Sequence, residues 1–309
     1  MRIVVLAASA FGLRCLKALR QLQCCEIVGV VTAPRVFTIS YRPEGVCNIL
    51  HADFDGYCRD LRIPAVTLEH CMSDESLYLA VSSWSPDAFV VVGWYHKVPK
   101  RWRLLAHAYG LHASLLPAYS GGAPLVWAMI NGENTTGITL FQLDDGVDTG
   151  PILGQATTQI SAVDTIATLY ARIEELGVAL LLEHLPKLAT GQATLRPQPA
   201  TGRRVCPQRG PEDGEIDWSK PAVQIDRFVR AQTKPYPGAF FVDGTERIIV
   251  WSVQLTDVDL GDCRPGEVVA IEHGIFAATG DGESIRFTLV NFQGTDVPPF
   301  EWWLRRTAN

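Results

Sequence analysis

From Arg2 to Leu188 short apolar runs alternate with amphipathic stretches, and that alternation leaves few architectures open. Arg2–Ala8, Glu26–Thr32, Ala65–Leu68, Asp87–Gly93, Tyr109–His112, Thr136–Gln142 and Ile152–Ile160 read as strands. Phe11–Leu22 carries Leu13, Leu16, Leu19 and Leu22 at helical spacing, and Asn48–Arg62, Asp74–Ser83 and Pro124–Asn131 also read as helices. A loop with Pro34 and Pro43 follows the second strand, and Leu104–Ala106 falls in a short helix or turn. Asp164 is placed to cap a long helix ending near Leu188, with Leu169, Ile173, Leu176, Leu180 and Leu185 on one side. Strands that alternate with helices in this way predict an α/β layer fold with a mainly parallel, Rossmann-like sheet.

After Gly191 the texture changes. Residues 193–215 hold Pro197, Pro199, Pro207 and Pro211 and read as a linker. Lys220–Gln232 is a short amphipathic helix. Five short β runs then follow, at Ala239–Val242, Arg247–Gln254, Glu267–Ile271, Ile275–Thr279 and Ser284–Val290, separated by turn pairs such as Asp243-Gly244 and Asp281-Gly282. Strands at this spacing predict a small OB-like β-barrel. The expected division is therefore a catalytic domain at 1–192, a linker at 193–215 and a second domain at 216–309. A chain of 309 residues is long enough for two domains at about 150 residues each.

Charge separates the same two parts. Residues 1–204 hold equal numbers of acidic and basic side chains, so the whole net charge of −6 lies beyond them. An acidic second domain argues against a nucleic-acid partner, because phosphate contacts need cations. No apolar run reaches the roughly 18 residues of a membrane span, and Met1–Leu6 looks like a buried strand rather than a signal peptide. The 8 cysteines show no Cys-x-x-Cys spacing. Reduced thiols in a cytoplasmic protein are the expectation. Cys24 and Cys25 open a strand-like run and should face opposite ways. Trp302-Trp303 should close the barrel, with a homodimer contact as the other use.

Two motifs fail. The first strand ends in Ala7-Ala8-Ser9-Ala10-Phe11-Gly12, which lacks the three glycines of a dinucleotide fingerprint. Asp144, Asp145 and Asp148 crowd around Gly146 without the spacing of a calcium loop, so no metal is expected.

The segment 110–150 carries the chemistry. His112 ends a buried strand, at the edge of an α/β sheet where ligands bind. Asp148 lies in the glycine-bounded run Asp144-Asp145-Gly146-Val147-Asp148-Thr149-Gly150 and can approach the same edge. An imidazole beside a carboxylate suits proton transfer at neutral pH. A lone histidine at a strand end is more often a hydrogen-bonded core residue than a catalyst.

The run His112-Ala-Ser114-Leu115-Leu116-Pro117, joined at a distance to Gly146-Val147-Asp148-Thr149-Gly150, resembles the formyltransferase superfamily that uses 10-formyltetrahydrofolate. Pro86–Trp94 with Lys97-Val98-Pro99, then Pro211–Pro221, Val229-Arg230-Ala231 and Lys234–Phe240, extend the resemblance over nearly the whole chain. The pattern is most similar to methionyl-tRNA formyltransferases and, above all, sugar N-formyltransferases.

The resemblance implies formyl transfer to an amine and an Asn, His, Asp catalytic set. His112 and Asp148 match two members, but Gly110 stands where the Asn should be. It implies a folate site at Trp94, Lys97, Val98, Pro99, Ser114, Leu115, Leu116, Pro117, Leu143, Asp144, Asp145, Gly146 and Val147. It implies acceptor contacts at Tyr95, His96, Tyr119, Gly121 and Gly122. Close relatives carry Arg where this chain has Ser120 and Gly122. The expected acceptor is a small amine on a nucleotide-linked sugar. The alternatives are another small natural-product amine, methionyl-tRNA, water (a formyltetrahydrofolate hydrolase), or none at all in a non-catalytic folate binder.

Overall fold

A computed structural model describes residues 1–39 and 42–307. Its contacts divide the chain into two compact units. The first holds residues 1–121, 136–158 and 171–206; the second holds 122–135, 159–170 and 207–309.

The first unit is built on a seven-stranded sheet. In chain order its strands are β1 (Arg2–Ala7), β2 (Glu26–Thr32), β5 (Ala65–Thr67), β6 (Ala88–Val92), β7 (His107–His112), β9 (Thr135–Gln142) and β10 (Ile152–Gln159). Across the sheet they lie in the order β10-β9-β7-β6-β1-β2-β5. The pairs β1/β2, β1/β6, β2/β5 and β6/β7 are parallel. Ile3–Ala7 and Ala88–Val92 are buried along their whole length, as strands covered on both faces must be. Helices α1 (Ala10–Leu19), α2 (Phe54–Leu61), α3 (Glu75–Ser83) and α4 (Lys100–Leu105) connect these strands. The α/β reading of the first half is thus realised.

One strand departs from the parallel set. β9 runs antiparallel to β7, with His112 opposite Thr139 and Tyr109 opposite Gln142. The chain therefore leaves β9 at the far end of β7 from His112, about 10 Å away at the usual strand rise. Asp148 does not arrive at the ligand-binding edge simply by following a strand. It returns there through a loop whose ends meet, since Gln142 N donates to Pro151 O at 2.9 Å.

Several local expectations shift for identifiable reasons. The helix expected from Asn48 starts at Phe54, because Asn48 is taken by the backbone: its Nδ2 donates to Ala8 O at 3.0 Å and its Oδ1 accepts Leu50 N at 3.0 Å. Asp53 caps the helix instead. The proline loop contains an antiparallel pair, β3 (Val36–Ile39) and β4 (Arg42–Cys47), while residues 40 and 41 lie outside the described residues. The long helix α6 runs from Ile166 to Ala189. Thr165, the residue before it, accepts Thr168 N, and Asp164 is buried, accepting Ser161 N and Thr168 Oγ1. Cys24 and Cys25 sit in a turn ahead of β2 rather than in the strand, so their sulfurs lie 3.6 Å apart instead of on opposite faces. All eight cysteines are free thiols.

Two short strands, β8 (Ser120–Gly121) and β11 (Val205–Cys206), pair in parallel and tie the segment after α6 to the loop beyond β7.

The second unit is an antiparallel, curled OB-like sheet with helices. Its strands are β12 (Ala239–Asp243), β13 (Glu246–Thr256), β14 (Val268–Ile271), β15 (Gly274–Ala278), β16 (Ser284–Phe292) and β17 (Thr295–Val297), ordered β12-β13-β16-β15-β14 with β17 on β16. Irregular pairing at Val250–Val253 bends the long β13/β16 ladder. The helices are α5 (Pro124–Ile130), α7 (Ala222–Gln232) and α8 (Pro299–Thr307). Ile225 and Val229 of α7, Val250, Ile285 and Phe287 of the sheet and Trp302 of α8 share one core. Among the described residues no helix is long and apolar enough to cross a membrane.

Candidate active site

His112 and Asp148, 36 residues apart in the chain, come together in the first unit. Nδ1 of the imidazole is 3.6 Å from Asp148 Oδ2, and both side chains are largely buried. The other ring nitrogen, Nε2, lies 2.8 Å from Tyr119 O. A carbonyl can only accept, so Nε2 carries the proton and Nδ1 is the basic atom of the neutral ring. A proton taken at Nδ1 would face the Asp148 carboxylate across that gap.

Asp148 is itself anchored. Its Oδ2 accepts Gly121 N–H at 2.7 Å. Gly121 has φ +93°, and an added Cβ there would stand 2.4 Å from Cys206 O, so only glycine fits this approach. Tyr119 and Asp148 adopt φ of +55° and +53°, left-handed conformations that are sparsely populated by residues with side chains. Both hold the atoms that meet the imidazole.

The loop between β7 and Tyr119 is fastened to the neighbouring strands. Thr139, opposite His112, donates to Ser114 O at 2.6 Å and accepts Leu116 N at 3.1 Å. Gln155 of β10 donates to Leu116 O and to Thr139 Oγ1, each at 2.9 Å. Ser114 Oγ donates to Ala118 O at 2.7 Å, and the Leu116–Pro117 peptide bond is cis. Leu116 is buried against Phe141 and Ile152, and Leu115 packs at Gly137.

The remaining folate-site candidates fall on two loops. After β6, Trp94 and Val98 pack into the core beside Leu143, while Tyr95 reaches Asn48 Oδ1 at 3.4 Å. His96 lies 5.6 Å from the Trp94 ring and 5.3 Å from Phe37. Burial lowers its pKa and keeps it neutral. Trp94 Nε1 and His96 Nε2 are both buried without a hydrogen-bond partner among the described residues. In the second loop Lys97 donates to Asp145 O at 3.2 Å, past Val98 and Pro99 at the start of α4. Arg103 pairs with the Asp145 carboxylate at 2.5 Å and holds its pKa below the usual range. Asp144 accepts Gly146 N and Thr149 Oγ1, so it folds its own turn. Val147 presents its carbonyl to Arg203 at 2.9 Å.

Gly110 sits two residues before His112 on the same strand. A Cβ there would lie 2.7 Å from Leu143 Cδ1 and 3.3 Å from Phe141 Cε1. Apolar side chains thus occupy the space an Asn would need. We expect Gly110→Asn to lower stability by about 1–2 kcal/mol through overpacking. Adding Leu143→Ala should recover most of that loss in chemical denaturation. Equal stability for Gly110→Asn and wild type would remove this steric account.

Ser120 and Gly122 carry no cation, as their sequence shows. Ser120 is buried, with its N and Oγ both donating to Arg204 O. In the second unit, a Cβ on Gly122 would meet Gln208 Cα at 2.6 Å. Positive charge comes instead from the segment after α6, with the Arg204 guanidinium 5.1 Å over the Tyr119 ring and Arg203 at Val147. Thr139, Gln155, Arg103 and Gln198 were not singled out by any motif. Their roles arise from pairings 16 to 50 residues apart, which leave no local pattern.

Comparison with known proteins bears on the chain as a whole. Residues 1–185 match the formyl transferase model and residues 209–307 match the formyl transferase C-terminal domain model. HypX from Aquifex aeolicus with tetrahydrofolic acid superposes at a TM-score of 0.64 and 19% identity, over 99% of this chain and 47% of HypX. The chain thus spans about half the length of the HypX structures it matches. An N-formyltransferase from Helicobacter canadensis, in complex with folinic acid and dTDP-3-aminofucose, gives 0.67 at 17% identity over 92% of this chain and 98% of that one. Methionyl-tRNA formyltransferase from Clostridium thermocellum gives 0.56 at 16% identity over 94% and 98%. These identities speak for the fold. With more than half of its residues matched by the first model and most of the remainder by the second, this chain belongs to the formyl transferase family.

Proposed function

We propose that the protein transfers the formyl group of 10-formyltetrahydrofolate to the amine of a small acceptor, a nucleotide-linked amino sugar. The observation that carries this reading is the imidazole of His112. Tyr119 O holds its Nε2–H, and its basic Nδ1 faces the Asp148 carboxylate.

In the proposed reaction the acceptor nitrogen attacks the formyl carbon and a tetrahedral oxyanion forms. The bond from that carbon to N10 of the folate then breaks. One proton moves from the acceptor nitrogen to N10. His112 Nδ1 is the group placed to take it and return it, with Asp148 stabilising the charged ring in between. Gly110 offers no side chain to the oxyanion, so backbone N–H groups must stabilise it, a role they commonly fill. Trp94 Nε1 and the backbone of 97–99 and 144–147 are the groups proposed to hold the pterin, with His96 left to the acceptor. The Helicobacter relative's complex with dTDP-3-aminofucose supports a sugar-nucleotide acceptor. So do Arg203 and Arg204, which bring cations to a loop that lacks its own.

The test is mass-spectrometric detection of a formylated product after incubation with 10-formyltetrahydrofolate and a panel of dTDP- and UDP-linked amino sugars. A formylated sugar nucleotide is the expected result. Product only on other small amines would overturn the sugar assignment. No consumption of 10-formyltetrahydrofolate with any amine would overturn the enzyme reading.

A further inference from the structure

The loop that carries Asp148 is gripped by a residue that neither family match covers. Gln198 lies in the irregular segment after α6, 50 residues beyond Asp148. Its Nε2 donates to Asp148 O and to Gly150 O, each at 2.8 Å. Two carbonyl acceptors decide which end of the amide faces the loop, since only the NH2 group can donate twice. Its Oε1 is buried without a hydrogen-bond partner among the described residues. The amide is therefore committed to the loop even though its own oxygen goes unmatched.

What it grips is a strained turn. Asp148 has φ +53°, where an L-residue crowds its own backbone. Left to itself such a residue relaxes toward ordinary extended or helical conformations. That relaxation would swing the carboxylate away from Gly121 N–H and from His112. Fixing the carbonyl of Asp148, and the carbonyl two residues on, opposes the rotation.

We propose that Gln198 is a positioning residue. By donating to both carbonyls it locks the left-handed turn at Asp148, so that the carboxylate stays between the Gly121 amide and the His112 ring. The kinetic part of this proposal rests on the formyl-transfer reading above; the geometric part does not.

Gln198→Met, in the full chain, keeps the length of the side chain and removes both donors. In hydrogen exchange read by mass spectrometry, peptides over 143–150 and 119–122 should exchange about tenfold faster or more, with the second unit unchanged. The kcat for formyl release from 10-formyltetrahydrofolate should fall by about 10- to 100-fold, the scale of a misplaced catalytic group. In an Asp148→Asn background the same substitution should lower kcat by less than about twofold, because there is no carboxylate left to position. A merely structural role would give the same loss in both backgrounds. Unchanged exchange at 119–122 and 143–150, or additive losses, would overturn the proposal. If Gln198→Met does not fold, Gln198→Glu serves in its place. It keeps the shape, loses the donors, and must raise exchange at the same two peptides. If the wild type releases no formyl group to any amine, the functional reading fails and the exchange result alone decides the positioning.

Discussion

His112→Ala is expected to lower kcat for formyl transfer by about 10²- to 10⁴-fold, the usual contribution of a positioned acid–base group. The size of the effect follows from how completely the ring is oriented. Tyr119 O takes the Nε2 proton at 2.8 Å, which leaves one tautomer and one basic nitrogen. That nitrogen faces Asp148 Oδ2 at 3.6 Å, and Asp148 is held by the Gly121 amide. His96, the other imidazole among the candidate site residues, is buried among aromatic rings and made less basic by that burial. Single-turnover transfer from 10-formyltetrahydrofolate is the appropriate measurement, with thermal unfolding as the control for folding. A His112→Ala protein within threefold of wild-type kcat would remove His112 as the base. If His96→Ala produced the large loss instead, the proton transfer would belong to the loop after β6.

The largest stability effect is expected in the second unit. Trp302 is fully buried and meets Phe241 and Phe287 edge-on, at 5.7 and 6.4 Å. Trp302→Ala should cost about 3–5 kcal/mol, the range for deleting a large aromatic from a core. Trp303, next in sequence, is only partly buried and lies beneath the Arg306 guanidinium at 4.6 Å. Trp303→Ala should cost less, about 1–2 kcal/mol, since this ring is only partly buried and packs at the edge of the core beneath Arg306. Trp302→Phe should fall well below Trp302→Ala. It keeps an aromatic ring and removes an indole N–H that is buried without a partner among the described residues. Denaturation monitored by hydrogen exchange of α8 and β16 peptides would read all three. Equal losses for Trp302→Ala and Trp303→Ala would show that the pair does not divide into a core residue and a surface one.

These effects also mark which parts of the protein were legible beforehand. The parallel sheet was, because strands buried on both faces leave uninterrupted apolar runs such as Ile3–Ala7. The direction of β9 was not, because periodicity carries no sense of direction. The helix start at Phe54 was missed because Asn48 spends its side chain on backbone groups, a local competition that hydrophobic spacing does not register. His112 and Asp148 stood out through their motifs, and Gly110 stood out as a departure. The reason for Gly110 lay with Leu143, 33 residues later on a neighbouring loop, where no motif pairs the two. Gln198 shows the same limit more strongly. A side chain that acts by gripping two distant carbonyls leaves no trace in its own neighbourhood.

The two units are interleaved: residues 122–135 and 159–170 belong with the second although they interrupt the first, and the first continues to Cys206. For anyone wishing to graft the C-terminal half of a relative onto this protein, the end of α6 is a tempting splice point and a poor one. A junction there would replace Gln198, Arg203 and Arg204 with foreign residues while leaving His112 and Asp148 in place. The chimaera would keep His112 and Asp148 and lose the side chain proposed to position them. A junction that keeps these side chains lies after Cys206, where the first unit ends.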